Sequence, residues 1–483
     1  MLPLIQNDWM KLLYLITFLF MVILIVQQRG DPLKTIAWLL VVAFLPVIGV
    51  ALYFFFGKNY RKEKLFSRKG LSDSKQIKLL TQYQSTIAAR PDYWADDSIS
   101  GKAHIMKMLY NSDKALLTEY NRVKILVNGK ETFGAIIDAL QQAVNHIHLE
   151  YYIIEDDKIG NIIREILIEK AQNGVEVRVI YDDIGCWSLS NKYITSLKEA
   201  GVKIFPFMPV RMPFLTNKIN YRNHRKIIVV DGTIGFVGGL NIADRYISGS
   251  EEIGPWRDTH LQIEGEAVYS LQSIFLLDWF FAGKQNIHHH NKYFPPCCIT
   301  ERHLIQIVAS GPDSDWASIM QTYFMAAATA KESICISTPY FMPNESILTA
   351  IRSASLSGVD VRILLPKRSD SKLVAWSTNS YISELLEAGI KVYLYEKGFP
   401  HSKLMIIDDV FCSVGTANMD IRSFDQNFEI NAIIYDRRIA TAMRNIFEND
   451  IKGLKSIHAG KWSRRPKWVV FRESIARLFS PLL

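Results

Sequence analysis

Two segments near the start of the chain are apolar on every face. Leu12 to Gln28 carries no charge and includes LLYLITFLFMVILIV; Thr35 to Gly57 carries none either and runs TIAWLLVVAFLPVIGVALYFFFG. Each approaches or meets the ~20 residues that cross ~30 Å of hydrocarbon as a helix. The link, QQRGDPLK, holds a Gly, a Pro and charges, as a turn in water does. The pattern predicts a membrane hairpin within residues 1–70, with helices at about 10–28 and 35–57. Because the first segment is short and Pro46 can bend the second, a shallower interfacial hairpin is the alternative. Residues 71–115 are mixed and polar, and read as a linker with some helix.

From Val123 the pattern alternates. VKILV is strand-like, ETFGAIIDALQQAVN helical, HIHLEYYII strand-like, NIIREILIEKAQN helical and VEVRVIYDD strand-like. Such alternation predicts an α/β fold with helices on a sheet. The pattern then recurs. VEVRVIYDD at Val175 matches VDVRILLPK at Val359, and EAGVKIFPF at Glu199 matches EAGIKVYLY at Glu387. NHRKIIVVDGTIGFVGGLNIADR at Asn223 matches PHSKLMIIDDVFCSVGTANMDIR at Pro400. The offset is 188 residues at the second pair and 177 at the third, so the first copy has eleven extra residues, in FMPVRMPFLTNKINYR. Two copies predict two fused domains rather than a solenoid. We place them at 116–285 and 301–483, joined by a polar linker at 286–300.

Composition adds compartment and partner classes. The net charge is +8, which suits nucleic acid, an anionic membrane or phosphorylated substrates alike. Five cysteines, an odd number with no CxxC pair, suggest a body in a reducing compartment. After the second apolar segment come Lys58, Arg61, Lys62, Lys64, Arg68 and Lys69, against the single acid Glu63. The positive-inside rule therefore places the body on the cytoplasmic side.

The chemistry lies in the third repeated pair. His224 and Lys226 precede IIVV, and His401 and Lys403 precede LMII. On a strand, positions two apart share a face, so each His would project beside its Lys. That pairing suits a phosphate: the ammonium neutralises oxygen charge while the imidazole attacks or moves a proton. Asp231 and Asp408 lie seven residues after each His, on the opposite strand face, and either support a strand end or contact substrate. Gly238, Gly239 and Asn241, and Gly415 and Asn418, form small-residue corners that let backbone N–H groups and an amide approach a phosphate. A catalytic imidazole needs a partner on its other nitrogen. Matching strands offer Asp258 and Glu429, and we expect Asp258 to orient His224 and Glu429 to orient His401. A metal is disfavoured, since a Lys beside each His is a poor metal neighbour. The run His288 to His290 falls in the linker and reads as solvated.

The duplicated HxKxxxxD with its trailing small residues resembles the phospholipase D superfamily. The stretches RGDPLKTIAWLLVVAFLPVIG, NYRNHRKIIVVDGTIGFVGGLNIADRY, PWRDTHLQIEGEAV and RLFSPLL are similar to the bacterial cardiolipin synthases. The resemblance implies two α/β domains about a pseudo-two-fold axis, with both motifs in one site. It implies phosphatidyl transfer between two phosphatidylglycerols, giving cardiolipin and glycerol through a phosphohistidine, with no cofactor or metal. By analogy His224 is the nucleophile and His401 the acid/base, while Lys226, Lys403, Asn241 and Asn418 hold phosphate oxygens. It implies a multi-pass protein of the bacterial inner membrane, no nucleic-acid partner, and an oligomeric state left open. Rival readings are a phospholipase D hydrolase, a phosphatidylserine synthase, a nuclease of the superfamily, and an inactive membrane scaffold. The basic, aromatic tail KWSRRPKWVVFRESIARLFSPLL suits an anionic lipid surface or a packed terminal helix.

Overall fold

The computed structural model describes residues 8–27, 32–53, 99, 101–210, 220–285, 287 and 290–483. The basic flank at 58–69, residues 71–98 and 100 of the expected 71–115 linker, the loop 211–219, His288 and His289 lie outside these. Two compact units result. Residues 1–66 with 210–221 form one, and the remainder forms the other.

The first unit contains helices Asp8–Gln27, Pro32–Phe44 and Pro46–Leu52. The expected second span is divided at Leu45–Pro46, because proline has no N–H to donate and its ring clashes with the preceding turn. Among the described residues no helix is long and apolar enough to cross a membrane. Met21, Ile25, Val42 and Tyr53 pack together, while Leu15, Leu19, Phe20, Ile23, Phe44 and Ile48 are exposed.

The second unit is an α/β body built on one sheet. Its first half supplies β1 (Leu117–Val127), β2 (His146–Tyr151), β3 (Glu176–Asp182), β4 (Lys203–Phe207), β5 (Ile227–Val230), β6 (Ile234–Gly238), β7 (Trp256–Arg257) and β8 (Thr259–Gly265). Its second half supplies β9 (Arg302–Ser310), β10 (Ser333–Ser337), β11 (Phe341–Met342), β12 (Asp360–Pro366) and β13 (Lys391–Tyr395). There follow β14 (Phe399–Pro400), β15 (Leu404–Ile407), β16 (Phe411–Gly415), β17 (Met419–Asp420) and β18 (Glu429–Tyr435). Fourteen strands run in the order β13-β12-β10-β15-β16-β18-β9-β1-β8-β6-β5-β2-β3-β4. The order reads alike from either edge, and the halves meet where β1 pairs antiparallel with β9. The outer strands β2-β3-β4 and β10-β12-β13 are parallel, with helices as crossovers, and the inner ones antiparallel.

Each half has a core of its own, and a third core joins the two. Ile227, Val229, Leu261 and Ile263 share a core with Leu404, Ile406, Cys412 and Ile430. Two segments expected as linkers are packed into this body. Helix Ala103–Asp113, expected in a linker, buries Ile105, Met106 and Leu109 against Val308, Ile319 and Tyr323 of the second half. Part of the expected 286–300 linker is also packed: Tyr293 is buried and its hydroxyl donates to Glu176 at 2.8 Å.

Candidate active site

Two short cross-half pairings build the site. Beside the first motif, Asn223 bridges Phe428 in parallel, and the His224 N–H donates to the Phe428 carbonyl at 2.9 Å. Beside the second, β14 pairs in parallel with β7, and the His401 N–H donates to the Arg257 carbonyl at 2.7 Å. Each pairing sets the residue before a motif His against the residue before an acid of the other half. Each His is thus delivered to the opposite half's carboxylate. His224 Nδ1 lies 2.9 Å from Glu429 Oε2, and His401 Nδ1 lies 2.8 Å from Asp258 Oδ2.

This reverses the expected pairing. Sequence placed Asp258 with His224 and Glu429 with His401, as if each copy were self-contained; the backbone bridges cross the pseudo-two-fold axis instead. A second correction concerns backbone. His224, Lys226, His401 and Lys403 stand in the segments leading into β5 and β15, outside the strands themselves. Each lysine folds back on its own motif, Lys226 Nζ donating to the His224 carbonyl at 2.8 Å and Lys403 Nζ to the His401 carbonyl at 2.6 Å.

The electrostatics follow from enclosure. Burial pushes His224 down to about 4 despite the charge of Glu429, and holds His401 well below its ordinary value, with Lys403 and Lys226 adding to the effect. The free site therefore presents neutral imidazoles, each able to donate Nδ1–H to a carboxylate and leave Nε2 unprotonated. Burial also lowers Lys226 to about 7 and Lys403 to about 8, against the attraction of Glu429 and Asp258. Asp258 is raised to about 6 by burial, offset in part by Lys403. Glu429 stays below its ordinary value: burial alone would raise it, but His224, Lys226 and the Thr416 hydroxyl outweigh that. Cations and anions of both halves thus act on one another within a single enclosed site.

The small-residue corners make room for the acids. A side chain at Gly239 would sit 2.5 Å from an Asp258 carboxylate oxygen. The matching position is Thr416, whose hydroxyl donates to Glu429 at 2.5 Å. Asn241 is committed to the fold: its Nδ2 donates to the Tyr246 hydroxyl at 2.6 Å, and its Oδ1 accepts from the Ile153 N–H at 3.3 Å. Asn418 is buried with its Oδ1 unpartnered. Tyr152 packs edge-on to His224 at 4.9 Å and Tyr246 edge-on to His401 at 5.7 Å.

Asp231 and Asp408 both start turns at φ +53°. Asp231 accepts from the N–H groups of Val144, Asn145 and His146 at 2.7–2.9 Å. Asp408 accepts from those of Lys331, Glu332 and Ser333, and from Lys102 Nζ at 3.3 Å. Both tie the head of the neighbouring strand to the motif strand.

Sequence reasoning missed two guanidinium clamps. Arg225 is fully buried, donates to the Glu429 carbonyl at 3.2 Å and pairs with Asp278. Arg257 donates to the Asp258 carbonyl and pairs with Asp450 at 2.7 Å. Each fixes the backbone of an acid that meets a histidine. Arg225 was visible as the middle residue of the first motif, but Ser402 in the second hid the parallel. Among the described residues, no group of three or more His, Cys, Asp or Glu side chains is placed to hold a metal ion.

Two matching halves that each lend a His-x-Lys pair to one enclosed site define a phospholipase D-like body. Residues 136–279 and 324–451 match the family model described as cardiolipin synthase, PLD-like domain, and residues 14–58 match phospholipase D-nuclease N-terminal. The cardiolipin synthase of Geobacillus thermodenitrificans is 45% identical, the match covering 96% of this chain and 92% of that one. The major cardiolipin synthase ClsA of Bacillus subtilis is 39% identical over 99% of this chain and 100% of its own length. The crystal structure of phosphatidylserine synthase from Haemophilus influenzae shares the fold at TM-score 0.60 and 15% identity, covering 79% of this chain and 100% of that one. The chain belongs to the cardiolipin synthase family.

Proposed function

We propose that the site moves a phosphatidyl group from one phosphatidylglycerol to a second, giving cardiolipin and glycerol, with no change in the number of phosphodiester bonds. The observation that carries this is the crossed pair of buried dyads, His224 with Glu429 and His401 with Asp258. His224 Nε2 attacks phosphorus, the P–O bond to glycerol breaks, and His401, protonated when the anionic substrate enters, gives its proton to the departing oxygen. The hydroxyl of the second phosphatidylglycerol then loses its proton to His401 and attacks phosphorus, and the P–N bond breaks. A phosphohistidine keeps the energy of the phosphodiester, so the exchange runs close to balance and in either direction. Lys226, Lys403 and the Asn418 amide hold the phosphate oxygens and stabilise charge in the transition state. Asn241, Asp231 and Asp408 act through the scaffold.

The N-terminal helices enter the membrane of a bacterial cell, spanning it or lying in its interface, with the body on the cytoplasmic side. Their exposed apolar residues support this, as does the basic flank that follows. Enzyme denatured at neutral to alkaline pH, which spares the acid-labile P–N bond, after mixing with phosphorus-labelled phosphatidylglycerol tests the central step. Label on His224, lost in His224→Ala and retained in His401→Ala, supports the scheme. Label on His401 reverses the roles, and no covalent label in any variant overturns the two-step mechanism.

A further inference from the structure

The C-terminal helix Lys467–Leu478 is built inside out. Its packed face is polar: Glu473 is buried and takes a two-oxygen contact from Arg465 at 2.8 and 2.9 Å, and Arg477 pairs with Glu384. The turn after it is pinned by a Ser480–Ser377 hydroxyl pair at 2.8 Å. Its outer face carries Trp468, Phe471, Ile475 and Leu478, exposed by 64%, 67%, 43% and 77%. Those positions are three, four and three apart, one stripe along a helix. Phe479 and Leu482 continue the exposed apolar surface. A helix that only packed on the body would turn this stripe inward.

Charge identifies what covers the stripe. Lys461, Arg464 and Lys467 are exposed at its start, and the only acid after Asp450 is the buried, paired Glu473. An apolar stripe rimmed by lysine and arginine fits the headgroup boundary of an anionic bilayer. Position gives it a purpose. The Pro481 carbonyl accepts from Gln426 Nε2 at 3.3 Å, and Gln426 directly precedes Asn427, which donates to Glu429 at 3.2 Å. The end of the tail is therefore two hydrogen bonds from the carboxylate that holds His224.

We propose that Lys467–Leu478 is an interfacial helix that seats the rim of the catalytic site on an anionic lipid surface. The inference rests on the lipid-transfer reading for its substrate, and the test separates the two. Full-length enzyme and the variant Phe471→Ser/Leu478→Ser are compared on phosphatidylglycerol in phosphatidylglycerol/phosphatidylcholine vesicles and on a short-chain, monomeric phosphatidylglycerol. The proposal expects a loss of about tenfold or more on vesicles and an unchanged rate on the monomer. It also expects Trp468 fluorescence, taken as the difference from Trp468→Phe, to be quenched by bromine-labelled acyl chains in anionic vesicles and not in neutral ones. Equal rates on both substrates, or an unquenched Trp468, overturn it. So does a variant whose only change is dissociation of a detergent-solubilised oligomer, since a second copy would then cover the stripe. If the parent enzyme makes no cardiolipin from either substrate, the lipid-transfer reading fails, while the quenching still decides the tail.

Discussion

Replacing Glu429 with Gln preserves shape and removes one buried charge. The carboxylate accepts from His224 Nδ1 at 2.9 Å, the Thr416 hydroxyl at 2.5 Å and Asn427 Nδ2 at 3.2 Å. When His224 attacks phosphorus its ring becomes positive, and Glu429 is the anion it touches. At a charge separation of about 4 Å and an effective dielectric of about 20, that attraction is about 4 kcal/mol. Its loss slows formation of the covalent intermediate on the order of 10³-fold, and a glutamine N–H₂ facing Nδ1 further favours the wrong tautomer. Rapid-quench measurement of labelled phosphatidyl-enzyme reads that step alone. A fall of less than tenfold in a folded Glu429→Gln protein would refute the reasoning. If Asp258→Asn controlled capture at His224 and Glu429→Gln did not, the cross-half pairing would fail as well.

Other outcomes follow from the scaffold. Asp408→Ala removes the acceptor for three backbone N–H groups at the head of β10 and for Lys102, and should cost about 2–4 kcal/mol in denaturant unfolding of the body. Arg225→Met strands Asp278 without its cation, near the buried Glu150, and should cost about 3–5 kcal/mol; Arg225→Met/Asp278→Leu should recover most of it. Burial lowers His146, His224 and His260 to about 4. Between pH 6.5 and 4 the unfolded chain takes up protons that the folded one does not. The imidazoles' share of stability is therefore full above pH 6.5 and falls as pH drops, by up to about 3 kcal/mol each, while the raised Asp258 contributes in the opposite sense; the difference in thermal unfolding between parent and His260→Gln across that range isolates the imidazole share.

The repeat made much of this legible. VEVRVIYDD against VDVRILLPK and IIVV against LMII announce matched strands, and in the observed sheet β3 and β12, like β5 and β15, hold the same place counted from opposite edges. What stayed hidden is what crosses the axis. Alignment of two copies shows which residues correspond, but not which ones meet, so Asp258 and Glu429 were read as local partners. The bridges Asn223–Phe428 and Phe399–Trp256 depend on how the halves dock, and no local pattern encodes that. Some helix was expected before residue 115, but the docking of Ala103–Asp113 was hidden for a similar reason: its few apolar residues serve a core formed some 200 positions later, as the 2.9 Å bond from the Ala309 N–H to Asp113 illustrates. The tail stayed open between a lipid surface and a packed helix, because composition alone does not say which face of a helix packs.

The measurement that bears most directly on the account is product analysis of the purified full-length enzyme given phosphatidylglycerol labelled separately in headgroup and acyl chains. The account predicts equal amounts of cardiolipin and free glycerol, abolished by His224→Ala or His401→Ala. Phosphatidic acid with no cardiolipin would mean that water is the acceptor, and would contradict it.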